Sequence, residues 1–227
     1  MSLAIRLFHG SDIRVGQPVF GLGKRYNDYG LGFYCTGDMD MAREWAVDED
    51  RNGFVNIYDL DTDGMTILNL SSREYCILHW ITILIQNRAF SLDSSLARAG
   101  NAYLIKWFGT DYESYDIIQG YRADDSYFSF AQDFLNGTIS VRQLSEAMKL
   151  GKLGEQTVLK SKQAFDNIVF IDAEPVNAYE WYPKRTSRSE VARKQYRKMN
   201  KEEWQRGEIY ITHILDEEIK PDDARLQ

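Results

Sequence analysis

Strand-type and helix-type segments follow one another irregularly along this chain, and this order constrains its fold more than any other feature of the sequence. Stretches with alternating apolar residues, such as residues 4–8, are followed in one place by a loop and in another by two successive helices. A doubly wound parallel sheet needs a regular strand-helix-strand order, which this chain lacks. The pattern therefore predicts an α+β fold.

Apolar periodicity and turn residues place the individual elements. Strands are predicted at residues 4–8, 33–36, 53–60, 65–70, 115–119, 156–159, 167–171 and 209–214. One helix is predicted to follow a cap at Asp38 or Thr36. A second helix is predicted from a Ser71–Glu74 capping box to about residue 87. Further helices are predicted at 94–108, 141–149 and 187–205. The Asp63-Gly64 pair between two of the strands predicts a β-hairpin. Residues 15–32, rich in Gly, Asn and Asp, are predicted to form a long loop.

One principal core is expected, because 227 residues with 44% hydrophobic and 27% charged residues are typical of a globular domain. Residues 1–172 are expected to form the main domain, with a helical insert at about 71–113. Residues 173–227 are expected to add a helix and a strand that pack on the same domain.

Charge and cysteine content limit the partners and the compartment. The net charge is −7, yet residues 184–206 contain nine Lys or Arg against three Asp or Glu. Such a run usually forms a solvated helix face, and the alternative is a contact with phosphate. Cys35 and Cys76 are expected to be buried free thiols in a reducing, cytoplasmic compartment. No membrane partner is expected, because the strongly apolar stretch at 77–85 is shorter than the ~20 residues of a membrane span.

Several common site motifs do not occur in the sequence. Gly30-Leu31-Gly32 is not followed by the third glycine of a dinucleotide loop and does not come after a strand. No P-loop or His-Glu-x-x-His motif is present, and three scattered histidines predict no metal site.

A set of short motifs gives the clearest functional signal. Phe8-His9-Gly10-Ser11 ends a predicted strand, Gly30-Leu31-Gly32-Phe33-Tyr34 follows twenty residues later, and a helix then carries Trp45. In order and spacing, this set resembles the ADP-ribosyltransferase superfamily, in its poly(ADP-ribose) polymerase branch. The chain as a whole looks like an uncharacterised bacterial family placed in that superfamily. The resemblance implies a split antiparallel sheet that binds NAD as a substrate.

The resemblance also implies a catalytic residue in a later strand. Glu155 begins the predicted strand and lies eight residues before Gln163, as in the polymerase pattern. A carboxylate beside the ribose would stabilise the positive charge that develops as nicotinamide leaves, which favours Glu155. Gln156 is the alternative, and the two side chains must face opposite ways in a regular strand.

The other site residues follow from the same resemblance. His9 would contact the adenosine-side ribose, the main chain of Gly10 would hold the nicotinamide amide, and Tyr34 and Trp45 would flank its ring. Both aromatic residues are equally suited to the core. The remaining residues expected to bind NAD are Ser11, Arg25 and Gly32.

The expected activity is transfer of one ADP-ribose from NAD to an unidentified protein or nucleic-acid acceptor, as in a bacterial toxin or effector with a possible neutralising partner protein. The alternative is a non-catalytic module of the same fold that binds a partner.

Arg122, Asp124 and Asp125 would either hold a polar turn or contact the acceptor or the NAD phosphates. Arg122 is suited to a bidentate phosphate contact.

Overall fold

The computed structural model describes residues 4–123, 125–150, 154–201 and 205–226. Within these residues the strands are β1 (Ala4–Ser11), β2 (Phe33–Cys35), β3 (Gly53–Asp61), β4 (Ile67–Asn69), β5 (Ile117–Tyr121), β6 (Glu155–Leu159) and β7 (Ile168–Val176). The α-helices are α1 (Met39–Ala46), α2 (Ile77–Asn87), α3 (Ser95–Phe108), α4 (Asp125–Leu135), α5 (Val141–Ala147), α6 (Lys162–Asp166), α7 (Ala178–Met199) and α8 (Ile211–Asp216). This mixture confirms the predicted α+β class.

The strands form two sheets that meet at one edge. The first sheet is antiparallel, in the order β1-β3-β7, and the second has the order β2-β6-β5-β4. In the second sheet only the β4–β5 pair is parallel. The sheets meet where Phe8 and Thr36 exchange two backbone hydrogen bonds of 2.8 and 2.9 Å. This junction brings the end of β1 beside β2, where the motif residues lie.

The predicted hairpin between residues 53–60 and 65–70 is wrong. The turn itself forms, since Met65 N donates to Thr62 O at 3.2 Å and Gly64 has a φ of 71°. After the turn, however, the chain changes sheet, and β4 pairs with β5 instead of β3. Both long edges of β3 are already taken by β1 and β7.

The main core lies around α2, whose residues Ile77 to Ile85 are all buried. Its buried neighbours come from α3, α4, α5, α7 and α8, so the C-terminal helices share one core with the rest of the domain. Helix α2 begins later than predicted. Ser71 Oγ donates to Glu155 and does not cap the helix, and residue 76 is the N-cap instead. His79 Nδ1 accepts a 3.1 Å bond from Cys76 N and closes the first turn.

Residues 209–214 were predicted as a strand but lead into helix α8 instead. Ile211 and Ile214 are three residues apart, and both are fully buried, which fits one face of a helix. The apparent alternation came from Ile209 and Ile211, which are two residues apart. Helix α7 starts nine residues earlier than predicted, capped by the Asn177 side chain.

Two further observations concern the cysteines and the helices. Cys35 and Cys76 are free thiols, as predicted, and Cys35 is buried as expected, whereas Cys76 is only partly buried. None of the helices in the described ranges is long and apolar enough to cross a membrane.

Candidate functional site

A cavity of about 650 Å³ opens between β1, α1 and the loop that connects β1 to β2. Seven of the residues singled out from the sequence line it: His9, Gly10, Gly32, Tyr34, Trp45, Arg122 and Gln156. They come from five separate parts of the chain, and folding brings them to one surface. A volume of this size is ordinary for a site that binds a cofactor or a small molecule.

Glycine at position 10 determines how α1 lies on β1. A Cβ atom there would lie 2.0 Å from the carbonyl oxygen of Ala42 and 2.8 Å from the backbone nitrogen of Ala46. Helix α1 can therefore approach β1 this closely only because Gly10 has no side chain. The close contact also places Trp45, whose own Cβ is within 2.9 Å of the same point, on the cavity wall.

His9 is held as a neutral hydrogen-bond acceptor. Its Nδ1 lies 2.7 Å from the carbonyl oxygen of Tyr34, and because a carbonyl can only accept, Nδ1 carries the proton. The ring also packs on Phe33, with the ring centroids 4.4 Å apart. Burial lowers the pKa of His9, so the uncharged form with a lone pair on Nε2 is favoured at neutral pH.

Tyr34 contributes its ring to the cavity, while its hydroxyl is fully engaged. The hydroxyl donates to Gly30 O at 2.6 Å and accepts from Tyr29 N at 3.1 Å, which fixes the preceding turn. Burial raises the pKa of Tyr34 far above its ordinary value. A proton-transfer role for this hydroxyl is therefore disfavoured, and the ring is left as a surface for stacking.

Trp45 and Arg122 form a second wall. The Arg122 guanidinium lies 4.3 Å from the centroid of the Trp45 ring, within the range of a cation–π contact. The buried Trp45 Nε1 has no hydrogen-bond acceptor among the described residues.

The position of Arg122 is fixed by the end of β5. The carbonyl oxygen of Tyr121 accepts hydrogen bonds from Tyr29 Oη at 2.7 Å and Trp80 Nε1 at 3.0 Å. Both donors belong to fully buried side chains, so the residue after Tyr121 is held at the cavity. This placement fits the ligand-contact alternative for Arg122. Asp124 lies outside the described residues, as does the side chain of Asp125.

The cavity is cationic although the chain as a whole is acidic. Arg14, Arg88 and Arg122 line it, and Asp28 is the one acidic lining residue among the described side chains. The net charge of the chain is −7. A concentration of positive charge in a concave surface attracts and retains anionic ligands.

Glu155 and Gln156 lie on opposite faces of β6, and Gln156 is the one that faces the cavity. Its side chain is 3% exposed, and Nε2 donates to Asp28 Oδ2 at 3.1 Å and to Tyr121 O at 3.3 Å. Glu155 is exposed and accepts a 2.5 Å bond from Ser71 Oγ. The expectation that Glu155 points into the pocket is therefore corrected. The pairing of Tyr121 with Glu155 and of Gly120 with Gln156 fixes this register.

Asp28 was not singled out from the sequence, where it is one polar residue in a long loop. The structure buries it, with Oδ2 accepting from Ala123 N at 2.8 Å and from Gln156. Arg88 Nη1 lies 3.6 Å from Oδ1. Burial raises the pKa of Asp28, and these hydrogen bonds and the positive charges of Arg88 and Arg122 oppose the rise.

Two predicted NAD-binding residues lie outside the cavity wall. Ser11 Oγ donates to Ile13 O at 2.5 Å and accepts from Asn56 Nδ2 at 3.1 Å, so it holds the start of the loop. Arg25 is exposed in the same loop. Buried Asn56, which sequence reasoning missed, also accepts from Val15 N at 2.7 Å and so fixes the loop against β3.

Some of the basic side chains in residues 184–206 hold the fold together. Arg188 makes a bidentate ion pair with Glu44 of α1, and Arg185 donates to Val47 O at 2.7 Å. These two side chains attach α7 to α1. Among the described residues, no group of three His, Cys, Asp or Glu side chains is arranged to hold a metal ion.

Comparison with known proteins places the chain in a family. No curated protein and no solved structure matches it. A family model described as "protein of unknown function (DUF3990)" matches residues 5–170, a span that contains every residue of the cavity wall. Because the match covers well over half of the sequence, the chain belongs to the DUF3990 family.

Proposed function

We propose that this protein binds NAD in the cavity and transfers its ADP-ribose to a macromolecular acceptor. The observation that carries the proposal is the convergence of His9, Gly10, Gly32, Tyr34 and Trp45 on one cationic cavity. These are the residues that the resemblance to ADP-ribosyltransferases assigns to NAD. Separate chemical features of the cavity match separate parts of NAD.

The ribose and nicotinamide ends find suitable partners at the junction of the two sheets. A neutral His9 offers Nε2 as an acceptor for a ribose hydroxyl, which is a donor. The rings of Tyr34 and Trp45 provide apolar surfaces for the nicotinamide ring, where stacking adds roughly 0.5–1.5 kcal/mol beyond burial. In this arrangement Tyr34 and Trp45 bind the substrate and take no part in proton transfer.

The pyrophosphate is matched by the arginines. NAD carries two negative phosphate charges in its centre, and Arg122 and Arg88 line the cavity beside the aromatic wall. Guanidinium groups bind phosphate oxygens through two parallel hydrogen bonds. A neutral nucleoside would gain nothing from these side chains.

The direct test is to incubate the purified protein with NAD and to measure released nicotinamide and NAD affinity. The proposal expects NAD binding by calorimetry and steady nicotinamide release, with ADP-ribose appearing on a component of a cell lysate. Binding without release would favour the non-catalytic module. A protein that does not bind NAD at all would contradict the proposal.

Arg122→Ala is expected to weaken NAD binding. Losing one charge-assisted contact with the pyrophosphate costs about 2 kcal/mol, which is roughly thirtyfold in Kd. Calorimetry at fixed ionic strength measures this difference. Arg6→Ala is the matched control, because Arg6 is exposed on β1 and pairs with Asp59 far from the cavity wall. Equal NAD affinities for the two variants would show that Arg122 does not contact NAD.

His9→Ala is expected to weaken NAD binding less than Arg122→Ala does. The lost bond joins two uncharged groups and is worth about 1 kcal/mol, or roughly fivefold in Kd. His213→Ala, at a residue of α8 that caps its own helix, controls for loss of an imidazole. An unchanged Kd for His9→Ala would show that the ribose does not contact this ring.

A further inference from the structure

The cavity contains a carboxylate in an unexpected place. Asp28 comes from the loop before β2, whereas the expected carboxylate, Glu155, comes from β6 and points away. Both hydrogen bonds that the Asp28 carboxylate accepts from described residues end on Oδ2. Oδ1 forms an ion pair with the Arg88 guanidinium, with 3.6 Å between Oδ1 and Nη1. One oxygen is thus anchored to the wall, and Oδ1 accepts no hydrogen bond from the described residues.

We propose that Asp28 is the catalytic carboxylate of this cavity and that Gln156 is its positioning residue. The inference rests on the proposed NAD reaction. As the bond from ribose C1′ to nicotinamide nitrogen breaks, both electrons leave with nicotinamide, and C1′ and the ring oxygen share a positive charge. Asp28 stabilises this charge, and the oxygen of water or of an acceptor then bonds to C1′ and releases its proton to solvent.

Burial makes this carboxylate effective. Asp28 is 6% exposed, so little water screens its charge from a cation formed beside it. A buried carboxylate without support would take up a proton instead. Burial raises the pKa of Asp28, and the two donors on Oδ2 and the positive charges of Arg88 and Arg122 oppose that rise. In its ionised form Asp28 is therefore a poorly hydrated carboxylate, supported at the cavity wall by two hydrogen bonds and by the Arg88 guanidinium.

The same geometry explains why a glutamine can occupy the inward position of β6. Its Nε2 donates to Asp28 and to Tyr121 O, so the amide connects the carboxylate to the end of β5. A glutamate at 156 could make neither contact when ionised, since it has no donor. In this protein the glutamine orients the charge that the loop residue supplies.

Asp28→Asn tests the assignment, because asparagine keeps the shape of the side chain and an oxygen that can accept from Ala123 N and Gln156. The expected result is a fall of roughly 10²–10³-fold in kcat for nicotinamide release, the scale for losing a principal electrostatic stabiliser. The Kd for NAD should change less than about threefold. Asp166→Asn, at a surface carboxylate paired with Lys162, is the matched control and should keep wild-type turnover. Retained NAD binding shows that the variant is folded.

Gln156→Glu decides the question if Asp28→Asn does not fold. With Asp28 as the catalytic carboxylate, a second acid beside it removes a donor and adds repulsion, so kcat should fall at least tenfold. If position 156 were itself the catalytic position, the same change would raise kcat and overturn the proposal. Wild-type kcat in Asp28→Asn, or a large loss in Glu155→Gln alone, would overturn it as well. Lack of turnover in the wild-type protein would instead contradict the NAD reaction itself.

Discussion

Replacing Gly10 with alanine is expected to lower the free energy of unfolding by about 3 kcal/mol and to remove most NAD binding. Overpacking a close contact costs ~1–3 kcal/mol, and the upper end applies here because the new methyl group meets backbone. The Ala42 oxygen, 2.0 Å from the new Cβ, belongs to the helix itself and cannot rotate away. Helix α1 must therefore move off β1, and Trp45 must move with it.

Urea unfolding, followed by circular dichroism, measures the change in stability, and calorimetry measures the loss of NAD affinity. Gly16→Ala is the matched control, since Gly16 also lines the cavity but a Cβ there would meet nothing within 4 Å. The stability of that variant should stay within about 0.5 kcal/mol of wild type. Equal stability of the two variants would mean that α1 does not rest on β1 through Gly10.

The parts of the site that could be predicted depend on short-range features. His9 and Tyr34 were singled out from motifs, and the structure places both on the cavity wall. Helix α3 was predicted to within one residue, because Ser94 caps it and Gly109 follows it. Local turn and capping chemistry determines such boundaries, and the sequence shows it directly.

Other parts of the site depend on pairings between distant residues, which local patterns do not reveal. Asp28 receives its hydrogen bonds from residues 95 and 128 positions further along the chain. The loop itself is held by Lys160, whose Nζ donates to Tyr29 O at 2.7 Å and to Leu31 O at 2.8 Å. A loop sequence rich in Gly and Asp predicts neither the burial of one acid nor the lysine that supports it.

The choice between Glu155 and Gln156 shows the same limit. Alternation guarantees that the two side chains face opposite ways, but it does not say which one faces inward. Pairing with β5 decides this, and β5 itself begins two residues later than the periodicity predicted. A preference based on charge chemistry favoured Glu155, and the strand register placed Gln156 in the cavity instead.

Arg188→Ala is expected to lower the free energy of unfolding by about 3 kcal/mol. Glu44 is 3% exposed, and Arg188 donates to it through Nε at 2.9 Å and Nη2 at 2.7 Å. Removing one partner of a buried pair costs ~3–5 kcal/mol, because the other charge stays buried. The lower end applies here, since the Arg188 side chain keeps 27% exposure and water can enter beside it.

Two further variants separate the ion pair from the loss of a long side chain. Lys184→Ala removes an exposed partner of Glu180 from the same helix and should cost at most about 0.5 kcal/mol. Adding Glu44→Gln to Arg188→Ala removes the buried charge and should recover part of the lost stability, which urea unfolding of all four proteins measures. Equal losses for Arg188→Ala and Lys184→Ala would mean that Glu44 is hydrated without its partner. Recovery in the double variant would identify the basic residues at this point of α7 as a structural attachment for α1, the helix that carries Trp45.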